Sequence, residues 1–202
     1  MTVTTGIAGP PGADASVIEK SWTDPEQFAA IFDRYFGQIH RYLARRVGSK
    51  LADDLAADVF VAAFAQRTRY DLGQDCARPW LYGIATNLVG AQRRRERRYY
   101  RALARSAARQ AVRPADAGDQ VADRVSAAAA GPALAAALAT LAPGDRDVLL
   151  LVALADLSYP QVAAALGIPY GTVCSRLSRA RQHVRSALGD RNPMQVKEPT
   201  DG

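Results

Sequence analysis

Three groups of side chains in this sequence have the types and spacing to do chemistry. The stretch GIPYGTVCSRLSRARQHVRSAL, residues 167–188, carries four arginines, one histidine and no acid. Read as a helix, it places Val173, Leu177, Ala180, Val184 and Leu188 on one packed face. Thr172, Ser175, Ser178, Arg179 and Gln182 then fall opposite, with Cys174 and Arg176 on the flanks. Short hydroxyls beside arginines suit contacts to phosphates and base edges. The plainer alternative is an amphipathic helix with a solvated basic face.

The second group is the run RRRERRYYR, residues 93–101, where six arginines face only Glu96. Its net charge of +5 leaves +1 for the rest of a chain that totals +6. A charge run is usually a solvated face. This one, with Arg93, Arg94, Arg95, Arg97 and Arg98, continues an apolar-faced helix among Trp80, Tyr82, Tyr99 and Tyr100. Arginine tracks phosphate while rings stack on bases, so the combination suits a strand with unpaired bases. The third group is LADDLAADVF, in which Asp54 and Asp58 lie four apart and share a helix face, a mildly repulsive arrangement. Either the acids support the positive end of their helix, or they dock on a basic partner. The residues alone leave both readings open.

The rest of the composition narrows the choice. Basic residues exceed acidic ones by 26 to 20, and 23 of the 26 are arginine, which points to a polyanionic partner. Cys76 and Cys174 are the only cysteines and form no CxxC pair; His40 and His183 are the only histidines. No disulfide framework, zinc ribbon or other metal site is expected, and no cofactor. No histidine, cysteine or glycine-rich phosphate loop accompanies the acids, so catalysis fits poorly and no enzyme is expected. No small-molecule pocket is evident. No apolar run approaches about 18 residues, and no basic segment leads into an apolar core near the start. A soluble, cytoplasmic protein is the expectation.

Helices must position these groups, and no strand pattern competes. Residues 1–21, rich in Gly, Pro, Thr and Ala, read as a disordered tail. A first domain spans 22–101. Asp24, Pro25 and Gln27 suggest a capping box ahead of a stripe of Phe28, Ile31, Phe32, Tyr35, Ile39 and Leu43, stopped by Gly48. A second helix carries Leu51, Leu55 and Val59. Pro79 opens a third, with Trp80 or Leu81, Ile84 and Leu88 inward, which runs into the arginines. Residues 102–132 read as a flexible linker. A second small domain, 133–188, holds Leu134, Leu138 and Leu141, a helix restarted by Pro143, and a short helix that Ser158 and Gln161 cap and Gly167 ends. With 167–188 it completes a helix-turn-helix. Residues 189–202 read as a polar tail. The fold class is all-α, in two helical domains.

In this order and spacing, ADDLAADVFVAAF, RPWLYGIATNLVGAQRRRERR and LSYPQVAAALGIPYGTVCSRLSRAR resemble segments of the extracytoplasmic-function (ECF) group of bacterial RNA polymerase sigma factors. The resemblance covers about 24–101 and 133–188. It implies that Asp54 and Asp58 contact core polymerase, and that Tyr70, Trp80, Asn87 and the arginines of 93–98 handle the −10 element. The loop of about 70–78 would cradle an everted base. It further implies that Thr172, Cys174, Ser175, Arg176, Ser178 and Arg179 face the −35 duplex. Core polymerase and promoter DNA are the implied partners, with room for a cognate anti-sigma protein. Two positions depart from the family's habit: Cys174 stands where a basic residue is common, and Asp58 where glutamate is common. A stand-alone helix-turn-helix regulator would explain 133–188 but leave Asp54, Asp58, Trp80 and the arginine run idle. A DNA-processing enzyme lacks a catalytic constellation.

Overall fold

The computed structural model describes residues 13–110 and 132–188, and every regular element among them is helical. Helices α1 (Ala13–Lys20), α2 (Ala29–Val47), α3 (Ser49–Ala65) and α4 (Arg78–Gln110) build the first half. Helices α5 (Pro132–Thr140), α6 (Pro143–Ala155), α7 (Tyr159–Leu166) and α8 (Tyr170–Ala187) build the second. Ile31, Tyr35, Ile39, Tyr42 and Leu43 bury the inward stripe of α2, as a 3.6-residue period requires. Gly48, at φ 86, then turns the chain directly into α3, a conformation costly for any residue with a Cβ.

Several local expectations change. Residues 13–20 of the expected tail form α1, which buries Asp14 and Ile18; one apolar and one polar anchor, a helical turn apart, suffice against a preformed neighbour. Asp24 makes no side-chain bond to backbone; its carboxylate accepts from the Gln27 side chain at 2.9 Å instead, because Pro25–Phe28 is a 3₁₀ turn and α2 starts after it. Phe32, expected inside, is 40% exposed; it stacks on Phe36 at 4.8 Å and meets Phe60 edge-on at 4.9 Å. On α3 the buried stripe is Ala52, Leu55, Ala56, Val59, Phe60 and Ala63, which turns Leu51 outward. Helix α4 continues past 101 to Gln110; the remainder of the expected linker, 111–131, lies outside the described residues, as do 1–12 and 189–202.

The second half follows its sequence closely. Ser158 and Gln161 form the capping box, each side chain bonding the other's backbone N–H. Gly167, at φ 61, ends α7 in the left-handed region, and α8 buries Val173, Leu177 and Ala180.

The two halves pack against each other. A continuous apolar cluster runs from Ile31, Leu43 and Leu81 to Val148, Leu151, Val162 and Leu177. Across it, Arg46 on α2 pairs with Asp147 on α6, and Arg78 donates to the Ala155 carbonyl at 2.5 Å. The backbones come close at Gly83, where an added Cβ would stand 2.2 Å from the carbonyl oxygen of Ala165 on α7. Gly83→Ala should therefore push α7 off α4, at an overpacking cost of about 1–3 kcal/mol. Small-angle scattering should show a larger radius of gyration than wild type. An unchanged radius would mean that α7 slides to accommodate the methyl group.

Candidate nucleic-acid interface

Local turn chemistry builds the first part of the site. Between the 3₁₀ turn Arg67–Arg69 and α4, Asp71 accepts from the Gly73 N–H at 3.0 Å and from the Gln74 side chain at 3.2 Å. Those two bonds hold its carboxyl below the ordinary range, and they close the loop on itself. The Tyr70 hydroxyl donates to the Gln74 carbonyl at 3.0 Å. Burial first, then the nearby Asp14 carboxylate, hold the Tyr70 phenol well above its usual range, so it remains a hydrogen-bond donor. Its ring packs 4.9 Å from that of Trp80.

These groups border a cavity of about 610 Å³. Tyr70, Gln74, Trp80 and Asn87 line it from the first half, and Ala164 and Ala165 of α7 close one side. Tyr70, Trp80 and Asn87 are thus brought together, though Tyr70 is buried and serves as wall, whereas Asn87 is exposed. Farther along α4, Arg94, Arg95 and Arg98 are exposed and Arg93 half-buried; the Arg97 side chain lies outside the described ones. Asp54 and Asp58 are exposed on α3 and do not line the cavity. There they are bracketed by the exposed Leu51 and by Val61, 68% exposed.

The outer face of α8 forms the second part. Ser175, Ser178 and Arg179 are exposed, and Thr172, Cys174 and Arg176 half-exposed. Arg179 is not idle: its guanidinium donates twice to Asp145 of α6, at 3.1 and 3.0 Å, and that pairing raises its pKa. The Arg176 guanidinium lies over Gly144, where a Cβ would come within 2.7 Å of it. Ser175 bonds back to the Thr172 carbonyl at 3.1 Å. The Cys174 thiol raises the pKa of the Tyr170 phenol beside it.

Sequence reasoning missed two contributors. Asp14 was hidden in a stretch of tail-like composition, although its spacing to Ile18 is that of a helix turn. Asp145 gave no signal as a partner of Arg179, since the two lie 34 positions apart and no periodic pattern links them. Among the described residues no group of three or more His, Cys, Asp or Glu could hold a metal ion, and no helix is long and apolar enough to cross a membrane.

Comparisons with known proteins cover both halves of the chain. Residues 31–99 match the model of sigma-70 region 2, and residues 132–184 that of sigma-70 region 4. The ECF RNA polymerase sigma factor SigW of Bacillus subtilis is 29% identical over 172 residues, 83% of this chain and 91% of that protein. The ECF RNA polymerase sigma factor SigC of Mycobacterium tuberculosis is 34% identical over 147 residues, 73% of this chain and 72% of that protein. Among solved structures, CnrH in complex with the cytosolic domain of CnrY has a TM-score of 0.60 at 24% identity, covering 89% of this chain and 99% of that one. RpoE in complex with the anti-sigma factor NepR, from Bartonella quintana, has a TM-score of 0.56 at 22% identity, covering 81% and 97%. At these identities the two structures speak for the fold.

The Tyr70 hydroxyl is the tie between the aromatic wall and the loop it borders. Tyr70→Phe should lower stability by about 1 kcal/mol, one neutral hydrogen bond, and speed amide exchange locally in residues 71–76. Exchange rates there equal to wild type would show the Asp71 turn holds the loop unaided.

Proposed function

Because the chain belongs to the extracytoplasmic-function sigma factors of bacterial RNA polymerase, we propose a role for each face described above. The protein binds core RNA polymerase and directs promoter-specific transcription initiation. Its first half, 22–101, takes the core and the −10 element, and its second half, 133–188, takes the −35 element. It acts as a non-catalytic specificity factor, RNA synthesis being the work of the core, and it works in the cytoplasm where promoter DNA is found. The solved relatives CnrH and RpoE are seen with partner proteins; a cognate anti-sigma protein fits the same plan here.

The observation that carries this reading is the layout of α4. Trp80 and Asn87 border the cavity at one end. Arg94, about 10 Å beyond Asn87 at 1.5 Å per residue, begins the exposed basic end. Unpaired bases need a recess and rings, and the phosphates beside them need cations; one rigid helix provides both in register. On α8, Ser175, Arg176, Ser178 and Arg179 face outward for the major groove. A regulator acting without polymerase would give α3 no reason to present two exposed acids between Leu51 and Val61.

Elements centred near −35 and −10 lie about 25 base pairs apart, roughly 85 Å at 3.4 Å per pair. Gly83, with Trp80 three residues before and Asn87 four after, lies on one face of α4, and α7 covers part of that face. Promoter engagement therefore requires the α4–α7 packing to release. Arg179 must likewise exchange Asp145 for a base edge or phosphate.

Two variants test the assignments on promoters selected from a randomised library by the wild-type holoenzyme. Replacing both Asp54 and Asp58 with alanine should leave the melting temperature equal or slightly higher, since two like charges four apart repel, while core binding falls at least tenfold. A lower melting temperature with unchanged core binding would make the acids helix-dipole partners instead. Arg179→Ala should weaken holoenzyme binding to duplex −35 DNA roughly tenfold; full affinity in a folded variant would remove Arg179 from the reading face.

A further inference from the structure

Residue Asp14 lies before the segment that matches region 2, on a helix that composition alone would leave unstructured. Yet its side chain is among the most enclosed polar groups described, 2% exposed. One carboxylate gathers three donors from distant parts of the chain. Arg34 pairs with Oδ1, the Tyr35 hydroxyl donates to Oδ2 at 2.5 Å, and the backbone N–H of Ala77 donates to the same oxygen at 2.8 Å.

Ala77 is the telling partner. It immediately precedes α4, and its carbonyl accepts the N–H of Leu81 at 3.0 Å, so it stands where a helix N-cap stands. The first N–H groups of a helix have no partner within it. Here the needed acceptor comes not from a neighbouring Ser or Asp but from a residue 63 positions earlier. The Tyr35 hydroxyl that Asp14 orients lies 3.2 Å from the Cys76 Sγ. Asp14 and Tyr35 thus hold Cys76 and Ala77, where the Tyr70–Cys76 loop ends and α4 begins, while Trp80 lines, from the first turn of α4, the cavity that the loop borders. The other end of the loop is braced by the same N-terminal segment. Arg67 donates to the Ser21 carbonyl at 3.1 Å, and the Trp22 indole N–H donates to the Arg67 carbonyl at 3.2 Å.

We propose that α1 is a clamp for the strand-binding loop, with Asp14 as the positioning residue that keeps the Cys76–Ala77 junction, and hence the Tyr70–Trp80 recess, formed before DNA arrives. The proposal rests on the reading of that loop as the −10 cradle. A loop already in its bound form loses no conformational entropy on binding. Freed at one end, it must be reordered each time a strand enters.

Cys76 reports on the loop, and Cys174, on α8, is an internal reference in the same molecule. In the full chain, Asp14→Asn keeps the shape but removes the charge. It should raise the rate of iodoacetamide alkylation at Cys76 about tenfold relative to Cys174, one charge-assisted hydrogen bond's worth of opening. With core polymerase, the same variant should bind a forked probe, its −10 non-template strand unpaired, about tenfold more weakly. Binding to the fully duplex probe should stay within about twofold.

Tyr35→Phe, which keeps the carboxylate and removes one donor, should shift both readouts in the same direction by less, and it serves if the Asn variant folds poorly. An unchanged alkylation ratio, or equal losses on forked and duplex probes, would overturn the proposal and leave Asp14 an anchor of α1 alone. Wild-type holoenzyme that bound the two probes alike would instead overturn the assignment of the loop, a failure the alkylation ratio does not share.

Discussion

A guanidinium does not give up its charge inside a protein, and left unpaired in an apolar interior it is strongly destabilising. Arg46 brings that constraint to the centre of the molecule. It is 1% exposed and meets three helices at once: the Tyr42 hydroxyl on α2, Thr86 on α4 and Asp147 on α6. The Tyr42 and Thr86 oxygens lie 3.2 Å apart, so the polar cluster is shared and its members constrain one another. Removing one partner of a buried ion pair costs about 3–5 kcal/mol, a large share of the roughly 5–15 kcal/mol that holds a domain together. Asp147 keeps 24% of its side chain in solvent, which places this pair toward the lower end. The halves are thereby pinned by a contact strong enough to order them and wet enough to be given up.

Around that charge the inter-half packing uses small groups. Gly83 admits the Ala165 backbone, and Ala155 offers its carbonyl to Arg78. Close approach of backbones yields dispersion contact without large side chains that must find new homes when the helices part. The surface α7 covers is also the one that carries Trp80 and Asn87. On the function proposed above, packing within the chain and binding of a strand would be alternative uses of one helix face, with the strand's differential affinity for the two forms setting their populations.

Charge is distributed with similar economy. Most of the net +6 sits in the nine residues 93–101, where Arg94, Arg95 and Arg98 are exposed. The acids of α3 are exposed, beside exposed apolar residues. On α8, Arg179 is paired with Asp145, and Arg176 lies over Gly144. An exposed ion pair of this kind is worth little to stability. Its effect is on order: the side chains are presented near a defined direction and exchange partners at small cost.

The helical periods of 28–43 and 173–188, the Ser158–Gln161 capping box, the Gly167 turn and the arginine run could all be read from the sequence, and with them the fold class and the family. Those features are local: each depends on residues within a few turns of one another, so spacing alone expresses it. The sequence also named Tyr70, Trp80 and Asn87, through resemblance, but not that Tyr70 is a wall and Asn87 a rim. Only the tertiary structure showed that α1 is a helix, that Asp14 supplies the acceptor at the start of α4, that Arg179 rests on Asp145, and that α7 lies on Gly83. Each of these joins residues tens of positions apart through one or two hydrogen bonds or a single close contact. Such a pairing leaves no period in the sequence, because its partners are chosen by the packing that brings them together.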